Sequence, residues 1–216
     1  MSFLAAVLWT VLVLPQAKPG PDLNSLLDKV EANFARMSDF SADFDQITVL
    51  GLNQTVSESG HLYLKRDRMM RWEYRVPRGE KVFVSDGKTV YSYVSADKTV
   101  YRDPVKKVLD DRMPLLFLLG RSNLKDEFKE FQERPGEKPI IPGDRVVVMT
   151  PKKKTDFEQV KIEVDPVGFH VRRLTLRRSD GTGIEYVFRN IDDKTKRDAK
   201  FFEFRIPPGV RVEDGI

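Results

Sequence analysis

The stretch "GHLYLKRDRMMRWEYRVPRGEKVFVSDGKTVYSY", Gly60 to Tyr93, alternates apolar and charged residues and is unusually rich in aromatics and arginine. Successive side chains of a strand point to opposite faces, so Met70, Trp72 and Tyr74 share one side while Arg71, Glu73 and Arg75 share the other. The turn signal Asp86-Gly87 separates this run from the next, in which Tyr91 and Tyr93 alternate with Val90, Ser92 and Val94. Hairpins of this kind build an antiparallel sheet. A face carrying so many large aromatics covers either the protein's own core or a guest.

The same pattern continues in both directions. "FSADFDQITVL" precedes the stretch; "KTVYRDP", "FKEFQE", "RVVVMT", "FEQVKIEVD", "FHVRRLTLRR", "GIEYVFRNI" and "FFEFRI" follow it, divided by short turns such as Asp97-Lys98, Val167-Gly168 and Asp180-Gly181. Ile162 falls on the Val160–Val164 side of its strand, and Phe188 on the Tyr186 side of another. Except at residues 105–119, no helices of 10 to 15 residues intervene between these runs, which excludes a parallel βαβ sheet. Two or three helices are expected. Residues 22–38 place Leu23, Leu26, Leu27, Val30, Phe34 and Met37 on one stripe. Residues 105–119 are interrupted by Pro114, and the half from Leu115 to Leu119 is apolar all round, the mark of a buried segment. About eleven strands with one apolar face curl into a barrel or half-barrel. Both segments are expected on its concave side.

The first residues, "MSFLAAVLWTVLVLPQAKPG", carry an apolar run from Phe3 to Leu14, too short for the roughly 20 residues of a membrane-spanning helix. The run is read as a secretory leader over residues 1–20, leaving residues 21–216 as one domain. Cysteine is absent, so an exported chain of this kind rests on its hydrophobic core and has no thiol for lipid attachment. The net charge of +4 is gathered in "PKKK" (151–154) and "VRRLTLRR" (171–178). These are either a solvated sheet face or a surface for an anionic membrane or acidic partner.

Chemistry is sparse. His61 and His170 lie on separate strands outside any metal-ligand spacing, and there is no nucleophile elbow, dinucleotide loop or phosphate loop. "DGTG" (180–183) sits between strands and reads as a hairpin. Aromatics segregate from arginines instead of interleaving with them, which speaks against single-stranded nucleic acid as a partner. No enzyme activity, metal or other cofactor is expected.

The ordered set Phe44-x-Gln46, Gly60-x-Leu62-x-Leu64-Lys65-Arg66, Arg71-Trp72-Glu73, Val84-Ser85-Asp86-Gly87-Lys88, Pro114-Leu115-x-x-Leu118-Leu119 and Lys200-Phe201 through Ile206-Pro207-Pro208-Gly209-Val210 resembles the periplasmic outer-membrane lipoprotein carrier family, LolA. The resemblance covers about residues 22 to 214. It implies an unclosed antiparallel β-barrel, mainly β with a few helices, whose helical lid closes over an apolar cavity. It further implies a monomeric periplasmic carrier without stable membrane insertion. Its cargo would be acylated lipoproteins, taken from an inner-membrane ABC exporter and passed to an outer-membrane receptor. On this reading Met70, Trp72, Tyr74, Tyr91, Tyr93, Ile162 and Phe188 line the cavity. Leu27, Val30, Phe34, Leu116, Phe117 and Leu119 belong to the lid. Arg66, in the family's Lys-Arg-Pro motif, is the latch that hydrogen-bonds lid carbonyls. The chain departs from that motif at Asp67, which replaces proline and is able to compete for Arg66 or Arg68. Two other classes stand beside the carrier: an envelope protein that senses lipid with the same half-barrel, and an exported lipid hydrolase, for which no nucleophile and base are present.

Overall fold

The computed structural model describes residues 22–51, 54–76, 81–112 and 124–215. The expected leader and the apolar half of the second helix, with Pro114, Leu116, Phe117 and Leu119, lie outside the described residues.

Helix α1 (Leu23–Arg36) starts where the Asp22 carboxylate accepts the Ser25 amide at 3.0 Å, a side-chain cap for an otherwise unpaired amide. It buries Leu26, Leu27, Val30 and Phe34, the stripe read from the sequence, and ends one residue before the extended Met37. Six strands follow: β1 (Asp39–Gly51), β2 (Gln54–Lys65), β3 (Met69–Val76), β4 (Lys81–Asp86), β5 (Thr89–Val94) and β6 (Thr99–Pro104). After helices α2 (Val105–Arg112) and α3 (Leu124–Glu127) come β7 (Phe128–Glu133), β8 (Arg145–Pro151), β9 (Gln159–Val164), β10 (Val171–Arg177) and β11 (Gly183–Asp192). The last strand is β12 (Arg211–Asp214).

All twelve strands form one sheet in the order β12-β6-β5-β4-β3-β2-β1-β11-β10-β9-β8-β7. Two antiparallel meanders, β1–β6 and β7–β11, are thus joined by the pairing of β1 with β11. The sheet does not close on itself. Its edge strands are short and charged, and β7 carries a bulge between Lys129 and Gln132, features that discourage pairing with another chain.

Two readings of the C-terminal region are corrected. "FFEFRI" is not a strand: Ala199–Phe202 is a 3₁₀ turn capped by Asp198, with Phe202 fully buried. The closing strand is β12, which pairs parallel to β6, so the sheet is not wholly antiparallel.

Residues opposite one another in a ladder share a face. Trp72 faces Leu62 on one neighbour and Phe83 on the other; Phe44 faces Gly60 and Phe188; Leu174 faces Ile162 and Tyr186. Phe44, Leu62, Trp72, Ile162, Leu174, Tyr186 and Phe188, with Leu26, Leu27, Val30 and Phe34 of α1, belong to a single core cluster on the inner face, and Phe83 packs against it. Val105 of α2 joins it.

Tyr91 and Tyr93 do not. Tyr91 opposes Val84, which opposes Arg71, and Tyr93 opposes Val82, which opposes Glu73, so both tyrosines project from the outer face. There they pack against Phe204 at centroid distances of 5.5 and 6.1 Å, beside the fully buried Val84 and Val100. The expectation that they line the cavity is therefore corrected. β4 and β5 are apolar on both sides, and a strand without a polar face has no alternation from which its register can be read.

Candidate functional site

The inner face is an aromatic sheet surface. Phe44 lies 5.0 Å from both Trp72 and Tyr74, Trp72 lies 5.5 Å from Tyr186, and Tyr186 stacks on Phe188 at 6.1 Å. Met70, Trp72, Ile162 and Phe188 are all buried on this face, and Tyr74 packs against its cluster. Five of the seven residues expected to line a cavity are thus brought together; Tyr91 and Tyr93 are on the opposite side.

What covers this face is α1, and it is fastened by polar groups at three places. Arg66, in the turn between β2 and β3, donates through Nε to the Met37 carbonyl at 3.2 Å and through a terminal nitrogen to the Ala35 carbonyl. Its backbone amide also donates to the Ser38 carbonyl at 3.1 Å. These carbonyls lie at the end of a helix, where acceptors lack intrahelical partners and a cation is favoured. The buried Asn33 donates to the carbonyls of Gly168 and Phe169, both at 3.3 Å, tying the last turn of the helix to the β9–β10 turn. On the outer side Glu31 accepts the Lys125 amide at 3.0 Å, and Lys125 pairs with Asp28.

Arg66 was legible as a candidate; Asn33 was not, although an asparagine three residues from Val30 on the apolar stripe is the signal that it needed. Asp67 sits at φ 66° and Arg68 at φ 62°. A proline ring locks φ near −65°, so this turn has no place for the proline that the family motif carries there.

A shallow cleft opens beside Arg66, lined by Met37, Ser38, Phe40 and Leu64 among others. With α1 in place, side chains of the protein itself occupy the inner face.

One end of that face is polar. The Tyr74 hydroxyl donates to Gln46 Oε1 at 2.8 Å, Gln46 Nε2 donates to Glu58 at 3.0 Å and to Thr48 at 3.1 Å, and Lys81 donates to Glu58 at 2.8 Å. Lys81 also stands over the Tyr74 ring at 4.2 Å. Burial pushes the Tyr74 phenol well above its ordinary range, with Tyr186 and Glu58 adding to the effect. Trp72, by contrast, buries its indole Nε1 with no partner at all. A buried unpaired donor of this kind costs about 1–3 kcal/mol.

The basic segments are largely engaged on the outer face. Arg172 bonds Asp144 and Asp165 at 2.9 and 2.8 Å, and Arg173 bonds Glu163 and Glu185 at 2.7 and 2.6 Å. Of the lysine run, Lys152 donates to the Lys125 carbonyl at 2.6 Å and Lys153 lies 3.6 Å from Glu127. His61 pairs with Asp43 at 2.7 Å and His170 with Asp193 at 3.2 Å. Among the described residues no helix is long and apolar enough to cross a membrane.

Residues 35–205 match the family described as "Outer membrane lipoprotein carrier protein LolA". The chain belongs to this family. Two proteins named outer-membrane lipoprotein carrier protein are similar over most of their length. That of Haemophilus influenzae is 29% identical over 188 residues, covering 86% of this chain and 85% of the relative. That of Vibrio campbellii is 27% identical over 189 residues, covering 87% and 85%. Among solved structures, an uncharacterized conserved protein from Thermus thermophilus superposes with a TM-score of 0.51 at 13% identity, covering 90% of this chain and all of that one. This last likeness concerns the fold.

Proposed function

We propose that this LolA-family chain is a periplasmic carrier that shields the acyl chains of lipoproteins between an inner-membrane ABC exporter and an outer-membrane receptor. The observation that carries the reading is an unclosed sheet whose inner face is a continuous aromatic surface, covered by a helix held through side-chain hydrogen bonds. A helix so held can be exchanged for another apolar body without breaking the sheet.

The magnitudes favour such an exchange. An acyl chain of about 15 methylenes gains on the order of 10 kcal/mol on burial, at about 0.8 kcal/mol per methylene. The four buried apolar side chains of α1, at about 1.5–3 kcal/mol each, are worth roughly 6–12 kcal/mol. Cargo that displaces the helix stripe therefore binds with the difference between two similar terms, which keeps it transferable. No cofactor is required on this reading, because the exporter supplies the energy.

The test is recovery of the full chain from the periplasm followed by mass spectrometry, and incubation of the complex with acceptor membranes bearing the receptor. An acylated polypeptide that copurifies and then moves to those membranes is the expected result. A chain that binds free acyl probes but neither retains nor delivers an acylated polypeptide is a lipid sensor instead.

A further inference from the structure

We infer that the Trp72 indole N–H is the hydrogen-bond donor for the carbonyl of an ester-linked acyl chain held against the inner face. The inference rests on the carrier reading and specifies how that site recognises its ligand. Trp72 is buried, and its side chain has a single polar atom, which is a donor only and has no partner. The other two buried unpartnered side-chain atoms among the described residues, Asp144 Oδ2 and Arg173 Nε, belong to groups that already make ionic hydrogen bonds. Trp72 makes none.

Its surroundings define what is missing. Phe44 and Tyr186 flank the indole and Leu62 and Phe83 oppose it across the ladders, and none of them accepts from its N–H. No acceptor of the Tyr74–Gln46–Glu58 series reaches the indole N–H either. The ligand must therefore bring an acceptor. An acyl chain is methylene throughout except at its carbonyl, so this is the single point at which it can answer an indole donor.

Trp72 also stands at the junction of two regions. On one side Phe188, Leu174 and Ile162 form a wholly apolar surface; on the other, Tyr74 leads through Gln46 and Glu58 to the partly exposed Lys81. A chain bonded at Trp72 would lie with its tail over the apolar side and its polar linker towards Lys81. The indole nitrogen is covered in the present state, so the bond belongs to the loaded protein, after the covering side chains have moved.

Two fluorescent probes test this, identical in chain and fluorophore, one joined through an ester and the other through an ether that lacks the carbonyl. The full chain should prefer the ester about threefold to tenfold, the contribution of one net hydrogen bond. Trp72→Phe, which keeps an aromatic ring and removes the donor, should abolish the preference. Equal binding of both probes by the unaltered chain overturns the inference and leaves the carrier reading intact. So does a preference that survives in Trp72→Phe. If neither probe binds, the carrier reading fails as well. Should Trp72→Phe not melt cooperatively, a Trp9→Phe background leaves Trp72 as the only indole. The hydrogen-bond-sensitive indole vibration must then shift with the ester probe and not with the ether.

Discussion

Arg66 Nε donates to the Met37 carbonyl at 3.2 Å, so the turn between β2 and β3 terminates the helix that covers the inner face. A hydrogen bond from a charged donor contributes about 1.5–3 kcal/mol when sheltered, and less here because part of the contact is exposed. Arg66→Leu is expected to lower stability by about 1 kcal/mol in denaturant melts. In a transfer assay it should accept cargo and release it poorly to the receptor. Arg66→Lys, which keeps the charge but not the two-point geometry, should fall between. Normal transfer by Arg66→Leu would show that this arginine is a helix cap without a part in carriage.

The backbone of the same turn makes a second test. Asp67→Pro demands a φ that the turn does not have, and should destabilise the fold by more than about 1 kcal/mol. Asp67→Asn, which tolerates the left-handed region, should stay within about 0.5 kcal/mol. Restoring the family's proline should therefore harm this protein. A melting temperature for Asp67→Pro equal to that of the unaltered chain would place the turn in another conformation.

Gly60 tests the register of the inner face. A Cβ there would come within 2.0 Å of the Glu73 carbonyl oxygen and 3.0 Å of the Phe44 ring. The first contact is with backbone and cannot be relieved by a side-chain rotation. Gly60→Ala should cost at least 1–3 kcal/mol, the usual range for overpacking (~1–3 kcal/mol), and should disturb Phe44 and Tyr74 in NMR spectra.

The two faces should separate in binding experiments. Tyr93→Ala is expected to cost about 3 kcal/mol, as for other buried aromatics, while leaving acyl-probe affinity within about twofold. Phe188→Ala should cost a similar amount and also change probe affinity, because it reshapes the inner face. Equal effects of the two substitutions on binding would contradict the assignment of Tyr93 to the outer face.

Acid should loosen the start of β1. Burial by itself would raise the Asp39 carboxyl, but the Ser38 hydroxyl, Lys65 and the Arg197 amide outweigh it and hold the group below the ordinary aspartate range. Since the folded value is the lower one, this contribution is complete above the unfolded value of about 3.9 and is lost as pH falls through the folded one. Melts of the unaltered chain should thus be steady from neutral pH to about pH 5 and decline below about pH 4. Asp39→Asn should be less stable at pH 7 and show a shallower acid decline.

Much of this architecture was legible from period alone. The stripe Leu26, Leu27, Val30 and Phe34 marked α1, and strands with one charged face, such as Met70–Arg75 and Val160–Val164, declared which side was buried. Alternation fixes a face when the two sides differ in polarity, because a slip of one residue would bury the charges. Arg66 was legible too, through the ordered motifs around it.

Other features had no local signature. Tyr91 and Tyr93 lie on a strand that is apolar on both sides, so only the pairing of β5 with β4 decided where they point. Asn33 has its partners at Gly168 and Phe169, 135 and 136 residues away in the chain, and the Tyr74–Gln46–Glu58–Lys81 series joins four strands. The sequence by itself determined α1 and the strands with one charged face, since those depend on neighbours along the chain. Only the tertiary structure decided that the sheet stays open, that its C-terminal segment covers the outer face, and that the Trp72 donor is left without a partner. Those outcomes depend on which distant side chains the sheet brings together in space.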